Sequence, residues 1–237
     1  MQIIADYHTH TIFSHGKGTI EDNVIVALEK GIQTIGISDH GYRHMAYGIK
    51  RKDILKMREE VNRLNEKYKD INILLGVECN ILDEKGNIDI TDKEREMLDY
   101  VMAGYHFGST PTTLYGIINH CDNYLFKTSK AKEKNTKAVV NAMKNNDIFI
   151  ITHPGDKGDV YIEEIAKIAK QTNTMLEINS SHGNLNADQI IKIKDIGNEF
   201  VIGSDAHVPS NVGNFDLAMN IIKQSSLDLS RIKNIKI

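Results

Sequence analysis

The chain has 237 residues, of which 29 are Lys or Arg and 32 are Asp or Glu, so its formal net charge is −3. This charge argues against a general binder of nucleic acid or of membrane surfaces, because such proteins carry an excess of basic residues. The length suits one well-buried core, and we expect a single domain over residues 1–237. The two cysteines have no CxxC spacing and predict no disulfide framework.

The first predicted strand begins at Gln2, and no apolar stretch approaches the length needed to span a membrane. We therefore expect no signal peptide, no membrane partner and a cytoplasmic location.

Seven short apolar runs alternate with helical patterns along the chain. The runs are residues 3–8, 34–40, 73–78, 100–106, 148–153, 175–179 and 200–205. Continuous apolar runs of this length are typical of parallel strands that are buried on both faces. Helices are predicted over residues 19–30, 52–69, 92–98, 134–145, 160–171, 186–196 and 214–224. Residues 107–133 are predicted to be irregular and to form a lid or substrate loop.

Six of the seven runs end at a His, Glu or Asp. In an open sheet, ligands gather only at the switch point of the strand order. In a closed barrel, the carboxyl ends of all strands meet at one mouth. The sequence therefore predicts an α/β fold, a distorted TIM-like barrel of the (βα)7 type, with a metal site at the C-terminal ends of the strands.

His8 ends the first run, and His10 lies two residues beyond it. Residues with this spacing point to the same side of an extended chain. Asp205 and His207 repeat this spacing after the last run, which neighbours the first in a closed barrel. Four further candidates end the intervening runs, and one comes from the first loop: His40, Glu78, His106, His153 and His15. For each lone histidine at the end of a run the alternative is a hydrogen-bonded polar residue at the barrel rim, and for His15 taken alone the alternative is a surface histidine. A buried carboxylate such as Glu78 favours a cation partner, because an unpaired buried charge is costly.

These residues lie in motifs that occur in a fixed order along nearly the whole chain. The motifs are DYHTHT at 6–11, ISDHG at 37–41, GVE at 76–78, AGYH at 103–106, ITHPG at 151–155, LEIN at 176–179 and GSDAH at 203–207. In these motifs the chain resembles the polymerase and histidinol phosphatase (PHP) family of metal-dependent phosphoesterases. It is most similar to the stand-alone YcdX-like phosphatases of that family.

The resemblance implies a distorted (βα)7 barrel with a trinuclear metal site. One metal would take His8, His10, Glu78 and Asp205; a second would share Glu78 and add His106 and His153; a third would take His15, His40 and His207. Imidazole ligands suit Zn, and Mn or Fe could occupy sites that include carboxylate and solvent.

The charge of such a site predicts its substrate. Three divalent ions outweigh the two carboxylates among the nine ligands, so the pocket attracts a compact anion such as a small phosphate monoester. Bound metals also lower the pKa of water toward about 7. The predicted function is therefore phosphate ester hydrolysis by a metal-bridging hydroxide, with no Ser or Cys nucleophile and no long nucleic acid as a partner.

Three other functions remain open. A 3′–5′ exonuclease or nucleotide phosphodiesterase would use the same metal chemistry. An amidohydrolase-type C–N hydrolase also begins with HxH. Such enzymes typically bridge their metals with a lysine from strand four, whereas the candidate bridging residue of this chain is Glu78. A non-catalytic regulatory module is expected to have lost ligands, and all nine motif positions are filled here.

Further candidates surround the predicted ligands. Asp6 and Asp39 precede histidines and could orient them, or could make barrel hydrogen bonds instead. Three loop cations could hold phosphate oxygens or remain solvated charges: Lys17, Arg43 and Lys157. His44 and His182 could contact the substrate or lie on the surface, and Asn179 ends the only run without a clear ligand and could line the pocket. Cys79 is predicted to be a packed thiol.

Overall fold

The fold is described by a computed structural model that covers residues 2–106, 108–126 and 128–237. Seven parallel strands form one sheet in the order in which they occur along the chain. They are β2 (Ala5–Asp6), β3 (Thr34–Ile37), β4 (Asn72–Asn80), β5 (Tyr100–Gly104), β6 (Ile150–Ile151), β7 (Met175–Asn179) and β8 (Phe200–Gly203). Their positions confirm the seven predicted runs, although most strands end before the polar residue that closes each run.

The two edges of this sheet meet, so the sheet is a nearly closed barrel. Beyond β2 and β8, Thr9 and Ala206 form a parallel bridge, in which the backbone N–H of His10 donates to the carbonyl of Ala206 at 2.8 Å. Outside the barrel, the short strands β1 (Gln2–Ile3) and β9 (Ile235–Lys236) pair in antiparallel fashion. The predicted distorted (βα)7 barrel is confirmed.

Helices cover the outside of the barrel. They are α1 (Ile20–Glu29), α2 (Ile54–Lys67), α3 (Asp92–Arg95), α4 (Leu114–Cys121), α5 (Ser129–Asn145), α6 (Ile162–Thr172), α7 (Ala187–Ile193) and α8 (Asp216–Ser225). Thr19 caps α1 as expected: its side chain accepts from the backbone N–H of Asp22, whose carboxylate accepts in return from Thr19. Thr91, and not the predicted Asp92, caps α3.

The prediction that residues 107–133 are irregular is wrong. This stretch contains α4, a π-helical turn over Asp122–Phe126 and the beginning of α5, which starts five residues before the predicted position 134. Residues 107 and 127 lie outside the described residues. Helix α4 was not predicted. Its apolar side chains, such as Leu114 and Ile118, are largely exposed and do not form the buried stripe from which a helix is predicted.

Inside the barrel, apolar side chains form the floor beneath a polar layer. Tyr100, Met102, Ile150, Met175 and Val201 pack together there. Gly76 leaves space for the Tyr100 ring, because a Cβ at this glycine would lie 2.4 Å from a ring carbon. Because side chains alternate along a strand, Glu78 lies one inward-facing position beyond Gly76, and Glu177 and Asn179 lie one and two such positions beyond Met175, toward the mouth. Among the described residues, no helix is both long and apolar enough to cross a membrane.

Candidate metal centre

The carboxylate of Glu78 lies at the centre of a cluster of imidazoles. Its Oε1 atom is 3.0 Å from Nε2 of both His106 and His153, and its Oε2 atom is 3.0 Å from Nδ1 of His40. His8 approaches Oε2 at 3.4 Å through Nε2. Glu78 lies within β4 and is fully buried, whereas four other strands deliver their histidines two or three residues beyond their last residue. The barrel therefore brings four separate strand ends onto one carboxylate.

The extended chain after β2 places His8 and His10 side by side. Their Nε2 atoms are 3.1 Å apart and both rings are buried. Asp205 faces them from the chain after β8, with Oδ1 3.2 Å from Nε2 of His10 and 3.5 Å from Nε2 of His8. Thr9 and Ala206 are the middle residues of the segments 8–10 and 205–207. Their parallel bridge holds these two segments side by side and so brings Asp205 next to the two histidines.

His15 and His207 complete the cluster on the solvent side. The ring centroid of His207 is 4.2 Å from that of His15 and 4.4 Å from that of His10. The His15 ring also stacks on the His40 ring at 4.9 Å. All nine sequence-predicted ligands are thus brought into one contiguous cluster, including His15 from the loop between β2 and α1.

The donor atoms of this cluster form three overlapping groups, each compact enough to surround a metal ion. In each group the candidate ligand atoms lie within 4.8 Å of one another; the groups are His8, His10 and Glu78; His40, Glu78 and His106; and His10, His40 and His207. Adjacent groups share His10, His40 or Glu78. Of these three, the Glu78 carboxylate has two oxygens and can bridge two closely spaced ions.

Hydrogen bonding leaves part of this cluster unsatisfied. Among the described residues, these buried atoms make no hydrogen bond of suitable geometry: Nδ1 of His10, His15 and His40, Nε2 of His106, and Oε2 of Glu78. The 3.0 Å approaches of His40 and His106 to the Glu78 carboxylate are close contacts without such a bond. An unsatisfied buried polar group costs about 1–3 kcal/mol. Divalent cations bound by imidazole nitrogen and carboxylate oxygen would remove this cost, so the residues present fit a metal centre.

The electrostatics of the cluster also suit cations. Burial, together with the neighbouring His40, holds the pKa of His10 well below its usual value, and burial lowers the pKa of His106 to about 4. Burial and the adjacent His207 lower the pKa of His15 to about 3. These imidazoles are therefore neutral at neutral pH, which is the form that binds metals. Burial opposes the charge on Glu78, but His106 and His8 hold its pKa well below the usual range.

Glu177 is a functional candidate that sequence reasoning missed. It is buried in β7, where Oε1 lies 2.7 Å from Nδ1 of His8 and Oε2 accepts from the backbone N–H of His153 at 2.8 Å. The carboxylate fits only because position 203 is glycine: a Cβ there would lie 2.0 Å from Oε1. The available signal was an acidic residue within an otherwise apolar strand, MLEIN.

Asn80 and Asp89 support His106 in a similar way. The Asn80 side chain donates to Asp89 at 2.6 Å, which turns its carbonyl oxygen toward Nδ1 of His106 at 2.9 Å. Nδ1 is then the protonated nitrogen, and Nε2 faces Glu78. Neither residue was predicted: Asn80 is the last residue of β4, two residues beyond the end of the predicted run at Glu78, and Asp89 lies between β4 and α3.

Asp6 and Asp39 make barrel hydrogen bonds and contact no imidazole ring within hydrogen-bonding distance among the described contacts. Asp6 accepts from the backbone N–H groups of Ser204 and Gly213, at 3.2 and 2.9 Å. Asp39 accepts from the backbone N–H and the hydroxyl of Thr11, at 2.7 and 2.6 Å. They fix the chain on either side of the candidate ligands.

Asn179 is fully buried and does not line the pocket, contrary to the expectation from sequence. Its amide donates to Asp205 at 3.2 Å and to Glu177 at 3.0 Å. Its carbonyl oxygen accepts from the backbone N–H of His182 at 2.8 Å. Asn179 therefore holds Asp205 and the loop that carries His182.

A cavity of about 450 Å³ opens above the cluster. Beside several candidate ligands, its walls include His44, Tyr47, Asp156, Lys157, Ser181, His182 and Asn211. Of the predicted substrate contacts, His44, His182 and Lys157 line this cavity, whereas Lys17 and Arg43 do not. The Arg43 guanidinium donates instead to the carbonyl of Thr110 at 3.0 Å. Tyr47 was not predicted; its ring stacks on His15 at 4.3 Å.

Comparisons with known proteins agree with this geometry. A family model described as the PHP domain matches residues 6–181. A probable phosphatase of Thermoanaerobacter sp. (strain X514) is 34% identical over 249 residues, which cover 99% of this chain and 91% of the relative. A probable phosphatase of Shewanella loihica is 33% identical over 244 residues, with 99% and 90% coverage.

Two solved structures share the fold. A chain from Listeria monocytogenes superposes with a TM-score of 0.69 at 18% identity, covering 88% of this chain and 97% of the other. The histidinol phosphate phosphatase of Lactococcus lactis, solved with Zn, L-histidinol and phosphate, superposes with a TM-score of 0.65 at 18% identity, covering 96% and 95%.

Proposed function

This chain belongs to the PHP domain family and is a metal-dependent phosphatase, and from that premise we propose that it hydrolyses small phosphate monoesters at a site of three divalent metal ions. The observation that carries the proposal is the position of Glu78, whose carboxylate belongs to two of the three compact donor groups and has two oxygens with which to bridge two ions. A site built in this way holds several ions close together, as the hydrolysis of phosphate esters by multi-metal sites requires.

The proposed ligand sets are those that the resemblance in the sequence motifs implies. His8, His10, Glu78 and Asp205 would hold one ion; Glu78, His106 and His153 a second; His15, His40 and His207 a third. Zn suits this set because most of the donors are imidazoles. The Zn-containing structure of the Lactococcus lactis enzyme supports the same choice.

The ions, when bound, supply hydroxide from water near neutral pH and offset the charge of the phosphoryl oxygens. The chain's own residues fix the donors in place. Glu177 accepts from Nδ1 of His8, and Asn80 accepts from Nδ1 of His106, so that both rings present Nε2 to the cluster. Such partners set the tautomer and the direction of a metal-binding imidazole.

The cavity above the cluster would receive the substrate. Its side chains include the ammonium group of Lys157 and the imidazole of His182, which lies 3.2 Å from Asp205. The cation excess of a loaded site favours a phosphate monoester, whose charge is greater than that of a diester. A nucleotide diester or an amide substrate is the competing proposal.

The test is a substrate panel run on protein of measured metal content. We expect release of inorganic phosphate from monoesters, much slower hydrolysis of bis(p-nitrophenyl) phosphate, and no hydrolysis of amides or lactones. About three metal ions per chain are expected by elemental analysis. Faster hydrolysis of the diester would favour the nucleotide phosphodiesterase, and hydrolysis of amides alone would favour the amidohydrolase.

A matched pair of variants connects activity with the proposed ligands. Glu78→Gln keeps the size of the side chain but removes the central charge, so bound metal and phosphatase activity should fall together. Glu66→Gln makes the same chemical change on the exposed face of α2 and should alter neither. Full turnover by Glu78→Gln would overturn the ligand assignment.

We also propose that residues 1–237 form one domain. The seven strands from β2 to β8 follow one another in a single sheet, and the two ends of the chain pair as β1 and β9. A single cooperative unfolding transition, seen alike by fluorescence and circular dichroism, is the expected result.

A further inference from the structure

A second cavity lies beside the mouth of the metal centre. Its volume is about 330 Å³, within the range of about 300–1,000 Å³ that ligand pockets occupy. The polar side chains on its walls are Asn123, Thr128, Lys132, Asp156, Lys157 and Asp159. Asp156 and Lys157 also line the mouth cavity, so the two cavities are neighbours on either side of this pair of residues.

The distance between the two cavities is short. His182 lies between Asp205 and Asp156: its Nε2 is 3.2 Å from Oδ2 of Asp205, and its Nδ1 is 3.6 Å from Oδ2 of Asp156. One imidazole ring therefore separates the candidate metal centre from the edge of the second cavity. A phosphate ester held at the metal centre could extend its alcohol portion past His182 and over Asp156.

A network of buried amides gives the second cavity a fixed wall. The side chains of Asn123 and Asn135 exchange two hydrogen bonds, at 2.9 and 2.7 Å, and Asn135 also donates to the carbonyl of Asp159 at 3.1 Å. Gly158 packs against this network, since a Cβ there would lie 2.8 Å from the Asn135 amide nitrogen. The wall is preorganised, as a binding site requires.

The charges on the walls indicate the chemistry of the ligand. Lys157 pairs with Asp156 at 2.6 Å, and Lys132 lies over the Tyr161 ring at 4.8 Å. Two ammonium groups are thus balanced by the carboxylates of Asp156 and Asp159, which leaves no excess charge for a second anion. The walls thus combine ammonium donors and carboxylate acceptors with no net charge. Such walls suit a ligand with hydroxyl groups, because each hydroxyl both donates and accepts a hydrogen bond.

From this arrangement we propose that the second cavity binds the alcohol portion of the substrate and that this portion is a polyol, as in a sugar or sugar-alcohol phosphate. The proposal rests on the proposed function, because it places the phosphoryl group of the same ester at the metal centre. Lys132 is the specificity-determining residue that it predicts, since Lys132 lines the second cavity but not the mouth.

The test compares two esters of equal chain length, glucitol 6-phosphate and n-hexyl phosphate, which differ only in hydroxyl groups. The wild-type enzyme should show a kcat/KM at least about ten-fold higher for glucitol 6-phosphate, the effect of one or more hydrogen bonds to charged groups. Lys132→Met should lower the ratio of the two kcat/KM values by about ten-fold. Lys137→Met, on an exposed position of the same helix, should leave the ratio unchanged.

The outcomes separate the two proposals. Hydrolysis of neither ester by metal-loaded enzyme would overturn the proposed function. Hydrolysis of both esters with equal kcat/KM, or an unchanged ratio in a Lys132→Met variant with wild-type thermal stability, would overturn the polyol subsite alone. A stronger preference for hexane-1,6-diol bisphosphate would show that the cavity takes a second anion, and would also overturn it.

Discussion

Oε1 of Glu177 lies 2.7 Å from Nδ1 of His8, in a part of the barrel where both side chains are buried. A carboxylate can only accept, so Nδ1 carries the proton and Nε2 is the nitrogen that faces Glu78 and Asp205. Burial opposes protonation of His8, but Glu177 and Asp205 raise its pKa well above the usual value. The same attraction for positive charge would act on a divalent cation between these carboxylates.

We expect Glu177→Gln to weaken metal binding by about 10–100-fold, because partners of a metal-binding imidazole have effects of this size. The amide oxygen can still accept from His8, whereas the amide nitrogen cannot accept from the backbone N–H of His153, so the change removes the charge and that hydrogen bond. Titration against a chelator of known affinity measures the change. Glu199→Gln, an exposed position that pairs with Lys233, is the control. An unchanged affinity would show that Glu177 serves only to position the backbone of His153.

Eight of the nine candidate ligands could be predicted from sequence because they stand at the end of an apolar run or two residues beyond it, whereas His15 comes from a loop. The end of a strand is visible as a change from apolar to polar residues, and the barrel brings all such ends to one mouth. Glu177 could not be found in this way, since it lies inside a strand and its role depends on the cross-barrel contact with His8. Asn179 was misjudged for a related reason: position at a strand end does not reveal whether a side chain faces the cavity or a neighbouring carboxylate.

Removal of metal should lower thermal stability as well as activity. At a free concentration of about 100 times Kd, one bound ion adds about 2.7 kcal/mol to the free energy of unfolding. For a chain of this size, about 1 kcal/mol shifts Tm by roughly 2–4 °C. Chelation should therefore lower Tm by about 5–10 °C for each ion removed, and added Zn should restore it. A Tm that is equal with and without chelator would contradict the presence of a structural metal cluster.

Glu21, at the surface between α1 and α2, should stabilise the fold near neutral pH and lose this effect in acid. Hydrogen bonds from Lys67, Tyr68 and Arg63 lower the pKa of Glu21 to about 2. Because the pKa is lower in the folded chain, the stabilisation is complete above the ordinary value of about 4.5 and is lost as pH falls toward 2. The wild type should be slightly more stable than Glu21→Gln at pH 7, and the difference should disappear near pH 2.

Urea unfolding of both proteins between pH 2 and pH 7 measures this difference. High salt should reduce it at pH 7, since the ion pairs are exposed. Glu29→Gln changes an exposed residue of the same helix and should show no such dependence on pH. A difference between wild type and Glu21→Gln that persists at pH 2 would mean that the side chain stabilises the helix pair by packing.

The last prediction concerns Asn234, which joins the first and last barrel strands below the metal centre. Its side chain is fully buried, donates to the carbonyls of Ala5 and Ile202 at 2.7 and 2.8 Å, and accepts from the N–H of Ile202 at 3.0 Å. Asn234→Ala would leave these backbone groups unsatisfied at a cost of about 1–3 kcal/mol each. We expect a loss of about 3 kcal/mol or more in urea unfolding, whereas Lys236→Ala on exposed β9 should change little. A loss below about 1 kcal/mol would show that the pairing of Thr9 with Ala206 closes the barrel without help from Asn234.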